Sequence, residues 1–193
     1  MRIKILGKVL FFSTFFFYGC SVNIKQLDAD IIKTQSQRWK AYTLKGKATI
    51  WEEGRELHQK FFARKDGQRL LMLCYGGGVL GMTPTPTFSV EVLGEQISYR
   101  TKTSAGVIET TDSHSKCLYA VIYALSRLGE VYARGSHQIG DATIKVDEKG
   151  NPVKISSGSV KLLLEYEAGD LESLEIFFGW QKFLLVEEIQ KIF

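Results

Sequence analysis

The chain has 193 residues, 45% of them hydrophobic, with 25 basic and 21 acidic side chains and a formal net charge of +4. That length and apolar content suit one domain with a full core. The nearly balanced charge, with no polybasic patch, argues against nucleic acid as a partner.

The first predicted element is at the N-terminus. Arg2, Lys4 and Lys8 precede an uncharged run, residues 9–18, that carries five phenylalanines, and Gly19 and Cys20 follow. A positive start, a short apolar run and a small residue at the end are the marks of a secretory signal. The run is too short to span a bilayer as a helix. Gly19-Cys20 resembles the bacterial lipobox, where a diacylglycerol is attached to the cysteine and the peptide is cut before it. Phe17 and Tyr18 stand where a lipobox usually has Leu and a small residue. The expected organisation is a signal at 1–19, a lipidated tether at 20–25 and one domain at 26–193. The alternative is an ordinary secretory signal followed by an unmodified cysteine. Removing 1–19 takes three basic residues and no acid, so the remainder is 22 basic against 21 acidic.

Residues 26–41 carry Leu27, Ile31, Ile32, Gln35 and Trp39 at helical spacing, which predicts an amphipathic helix. The period then switches to two. Strands are predicted at 44–50, 57–64, 70–75, 88–93, 96–102 and 107–110, with Asp66-Gly67 as a hairpin turn. Residues 76–86 break the pattern with four glycines and two prolines. Asp112 or Ser113 is placed to cap a helix over 114–133, and Gly135 lies just past its end. Strands follow at 139–147, 153–156, 160–167, 171–178 and 181–189. The sum is about eleven strands and two main helices, an α+β fold. Short strands joined by tight turns predict an antiparallel sheet. That many strands must curl or close, and the concave side would cover the apolar helix faces.

Cys74 and Cys117 both lie in apolar segments and are expected as buried thiols rather than a bridge. His58, His114 and His137 have no partners at zinc spacing, so no metal or other cofactor is predicted. There is no Gly-x-Ser-x-Gly elbow, and Gly76-Gly77-Gly78 lacks the Lys-Ser/Thr of a phosphate loop. No enzyme is predicted.

Several anchors resemble those of the LolB-like outer-membrane lipoprotein receptors of the LolA/LolB lipoprotein-localisation fold. They are Cys20-Ser21-Val22, Tyr42 and Gly46, Phe61-Phe62, Asp66-Gly67-Gln68, the run 69–73, and Leu80-Gly81. The resemblance implies an incomplete barrel of eleven antiparallel strands covered by helices, with an apolar cavity that receives acyl chains. It implies a lipid-anchored, monomeric protein on the periplasmic face of the outer membrane. Such a protein takes lipoproteins from a LolA-like periplasmic carrier and helps insert them. The family's Pro-Leu-Gly release loop corresponds to Val79, Leu80 and Gly81 here, with Val79 in place of the proline.

The residues themselves put Val79, Leu80 and Met82 on a glycine-rich loop, where exposed apolar side chains suit a membrane or an apolar ligand. Equally, they would fit as a plug folded back on the core. Ile50, Phe61, Met72, Phe88, Val90 and Val92 are the inward-facing candidates for an acyl-chain lining, or alternatively pack against the helices. Two other functions stay open: a lipid-binding or sensing lipoprotein of the same fold without insertion activity, and a structural envelope lipoprotein.

Overall fold

The computed structural model describes residues 23–52, 54–76, 86–101, 104–108 and 110–192. Cys20, Val79, Leu80 and Met82 lie outside the described residues. A 3-10 turn, Ile24–Gln26, leads into α1, Ala29–Arg38. Asp28 caps α1 by accepting the Asp30 amide at 2.8 Å. Six strands follow: β1 (Ala41–Glu52), β2 (Arg55–Asp66), β3 (Arg69–Tyr75), β4 (Pro86–Leu93), β5 (Gln96–Thr101) and β6 (Ala105–Val107). Next come α2 (Ser113–Ser126) and α3 (Leu128–Ala133). The chain ends in β7 (Gln138–Ile139), β8 (Ala142–Val146), β9 (Pro152–Ser157), β10 (Val160–Glu167), β11 (Asp170–Phe178) and β12 (Gln181–Ile192).

All twelve strands form one antiparallel sheet in the order β6-β5-β4-β3-β2-β1-β12-β11-β10-β9-β8-β7. β6 and β7 are its edges and do not pair, so the sheet is open. α2 packs against β4 on one limb and β8, β9 and β10 on the other, which requires the limbs to curve around it. The fold is therefore a curled, unclosed sheet holding helices in its concavity. The inner face carries the core, with Leu70, Val92, Ile97, Val146, Ile155 and Val160 fully buried.

Among the described residues the strands number twelve rather than about eleven, because the expected strand at 139–147 is a hairpin. Gly140-Asp141 forms its two-residue loop, with Gly140 at φ +54. A glycine at the first loop position admits that conformation without a Cβ clash. The expected helix over 114–133 is two helices, broken at Arg127 (φ −113, ψ 11). Asp112 caps the first by accepting the amides of His114 and Ser115, both at 2.9 Å. Gly135 (φ +59) closes the second, with the Ser136 amide bonded to the Val131 carbonyl at 3.1 Å.

Tertiary contacts account for the break. Ser36 Oγ donates to the Gly129 carbonyl at 2.9 Å, and a Cβ on Gly129 would lie 3.0 Å from the Ser36 carbonyl oxygen. α3 thus turns to meet α1 backbone to backbone. Buried Arg127 fixes the corner by donating to Glu130 at 2.6 Å and to the Gly94 carbonyl at 3.1 Å.

β-bulges shape the sheet at its seam. Lys45 pairs with Gln190 but Lys47 pairs with Glu187, so Glu188 and Ile189 together oppose Gly46. Glu188 takes φ 52 there. A Cβ on Gly46 would meet the Glu187 carbonyl oxygen at 2.7 Å, so only glycine fits without a shift.

Candidate functional site

An apolar cavity of about 660 Å³ opens between the β2–β6 limb, β11–β12 and the underside of α2. Its first wall follows from register. Phe61 faces Cys74, Cys74 faces Phe88 and Phe88 faces Thr101, one row across four strands. Met72, Val90 and Tyr99 make the next row. Ser115, Leu118 and Ile122 hang from α2 at spacings of three and four, which puts them on one face as a roof. Gly106, Val107 and Thr111 lie at the exposed mouth.

Ile176, Phe178, Phe183 and Leu184 supply the opposite wall. Two consecutive residues, Phe183 and Leu184, line it because of another bulge. Ile176 pairs with Leu184 and Phe177 with Lys182, leaving Phe183 as the extra residue. A bulge re-aims a side chain that strict alternation would send outward. Phe183 then packs edge-on against Phe178 at 5.4 Å and Phe88 at 6.5 Å between ring centroids. These three rings connect the two limbs across the cavity.

Of the residues expected to line a cavity, Phe61, Met72, Phe88 and Val90 do so. Ile50 and Val92 do not. Ile50 is a buried core residue paired with Leu184, and Val92 is fully buried between its register partners Leu70 and Ile97. Alternation places both on the inner face, but other core side chains fill the space in front of them. Cys74, Tyr99, Leu118, Ile122, Ile176, Phe178 and Phe183 were not anticipated as lining. The helical spacing of Leu118 and Ile122 was the one available signal; the bulge at Phe183 left none.

Cys74 and Cys117 are free thiols, the first buried in the cavity wall and the second half-buried on α2. Burial raises the Cys74 pKa from 9.0 to about 12, because the thiolate would be desolvated there. The folded state therefore holds this proton after the unfolded chain has released its own. The stability this confers is present below pH 9 and is lost as pH rises toward 12, up to about 4 kcal/mol. Buried Tyr42, Tyr132 and Tyr166, also shifted upward by desolvation, act in the same direction. Melting temperature is expected to hold from pH 7 to 9 and fall above it, and Cys74→Ala should flatten that fall. An unchanged alkaline slope in the variant would refute the assignment.

Among the described residues, no three His, Cys, Asp or Glu side chains form a metal-binding group. No helix among them is long and apolar enough to cross a membrane.

Neither the models of known protein families nor the curated proteins give a match to this sequence. Among solved structures, the chain is similar to a DUF1329 family protein from Desulfovibrio piger, at a TM-score of 0.45 and 9% identity. The alignment covers 83% of this chain and 90% of that one.

Proposed function

We propose that this protein is a LolB-like receptor that takes lipoprotein acyl chains into the cavity beneath α2 and helps insert them into the outer membrane. In this reading lipidated Cys20 holds it at the periplasmic face, and a LolA-like carrier delivers the cargo. The observation that carries the reading is the cavity itself: about 660 Å³, walled by aliphatic and aromatic side chains, and open at one end. That is within the range of about 300–1,000 Å³ typical of ligand pockets.

Binding of this kind needs no catalytic group. An acyl chain of about 14 methylenes held in water costs on the order of 11 kcal/mol. An apolar cavity removes most of that cost, and passage onward to a bilayer is then nearly neutral. Modest differences in affinity between carrier, receptor and membrane suffice to set the direction. Val79, Leu80 and Met82 are proposed to act at release.

The test is a transfer assay. The purified protein is mixed with a carrier loaded with a labelled lipoprotein, and the label is followed between the two by pull-down. Arrival of the label on this protein, and competition by free fatty acid, are the expected results. Fatty-acid binding without transfer would overturn the receptor role and leave a lipid-binding protein. Absence of both would overturn the proposal entirely.

A further inference from the structure

The turn between β11 and β12 carries the most exposed large apolar side chain among the described residues. Trp180 is 95% exposed. It sits on a two-residue turn, Gly179-Trp180, with Gly179 at φ +61. The Gly179 amide bonds to the Ser159 carbonyl at 2.7 Å, which ties this tip to the β9–β10 hairpin. The indole is therefore presented to solvent on a fixed support. Phe178, immediately before the turn, lines the cavity.

Behind Trp180 the outer face of the sheet is cationic. Lys161 places its ammonium over the indole ring at 5.2 Å. Lys145 and Lys154 are direct cross-strand partners on β8 and β9. Like charges directly opposite are destabilising; partial burial first, and then the charges of Lys161 and Lys145, lower the Lys154 pKa. No ion pair among the described residues engages Lys145, Lys154 or Lys161. Along that row the next residues are Leu163 and then Glu175, whose carboxylate is already held by Lys182. Three neighbouring cations thus stand without an ion-pair partner among the described residues.

We infer that the Trp180 tip, with Lys161, Lys154 and Lys145 behind it, is a docking surface for an anionic phospholipid bilayer. Tryptophan settles at the headgroup level, where its ring is half immersed and its N–H stays wet. Lysines extend their stems along the interface and place their charges among lipid phosphates. A protein partner fits less well, since the centres of protein interfaces are depleted in lysine. The surface goes beyond the contents of the cavity, and docking by it does not require a bound acyl chain.

The test uses the full chain on vesicles of equal parts brominated phosphatidylcholine and phosphatidylglycerol, with tryptophan emission as the readout. Trp39 is buried and Trp51 half-buried, so bromine in the bilayer reports chiefly on Trp180. Quenching is expected, with most of it lost in Trp180→Phe. It should fall in brominated phosphatidylcholine alone, at high salt, and in the pair Lys145→Gln/Lys154→Gln. Because the signal is the depth of one ring, an anchor at Cys20 does not imitate it. Equal quenching in the full chain and in Trp180→Phe overturns the assignment, as does quenching indifferent to lipid charge. Fatty-acid binding by Trp180→Phe, measured in parallel, should be unchanged; its loss there would place Trp180 in the cavity's function and overturn a separate docking surface.

Discussion

Leu118→Arg is expected to leave the protein folded and to weaken fatty-acid binding by at least about a hundredfold, or about 2.8 kcal/mol. Leu118 hangs from the roof one turn inside the mouth and is only half-buried. The long stem of arginine can lie across the cavity while the guanidinium reaches water at the mouth, which spares the fold. An acyl chain entering would then have to displace the stem and strip water from the charge. Leu118→Met, nearly equal in volume and apolar, should bind as the parent does. Titration with a fluorescent fatty acid measures both, and circular dichroism checks the fold. Binding by Leu118→Arg within a few-fold of the parent would show that the acyl chain does not pass under α2.

Gly150→Val is expected to destabilise the protein by about 2–5 kcal/mol. Two costs combine at this position. Gly150 takes φ +77, which a β-branched residue adopts only with strain. A Cβ there would also lie 2.6 Å from Ile31 Cγ2 and 3.2 Å from Leu27 Cδ1, so it would drive α1 away from the turn. More than apolar packing depends on that contact. Tyr132 donates its hydroxyl to the Gly150 carbonyl, and Gln35 Nε2 donates to Asn151 Oδ1 at 3.0 Å. Asp147 holds the same turn by accepting the amides of Lys149 and Asn151 at 2.9 and 2.7 Å. Thermal melts of Gly150→Val and of Gly150→Val/Ile31→Ala separate the two costs. The second change should restore part of the loss by removing the clash, while the backbone cost stays. No recovery at all would mean that α1 does not rest on this turn.

Period-two alternation made most of the sheet legible before any coordinates. β1 through β5 and β9 through β12 lie where alternating runs and turn glycines put them, within a few residues. At Gly140-Asp141 the two strands are so short that the alternation on either side reads as one run. At Arg127 nothing local stops the helix; Ser36 and Lys40, about ninety residues away in sequence, make the α1 contact at Gly129 that turns it. The site followed the same division. Inner-facing residues could be named from their period, yet Val92 and Val90 carry the same pattern and differ only in what stands opposite. Which of them borders an open space is decided by the path of α2 across the curled sheet. Phe183 shows the limit most clearly, because the bulge that turns it inward arises from the pairing of β11 with β12 and not from its own neighbours in sequence.

The pairing of β1 with β12 has a bearing on how the chain reaches this state. β1–β6 and β7–β11 are each built from hairpins between near neighbours in sequence, and such units zip up quickly. The seam that joins them, Thr43 with Ile192 through Ile50 with Leu184, cannot form until the last strand is present. A chain halted before residue 181 would hold two half-sheets with β1 and β11 as raw edges, each a template for another molecule. Folding to completion is thus a late, long-range event. The interval before it is when this protein is most prone to aggregate and when a chaperone would matter most.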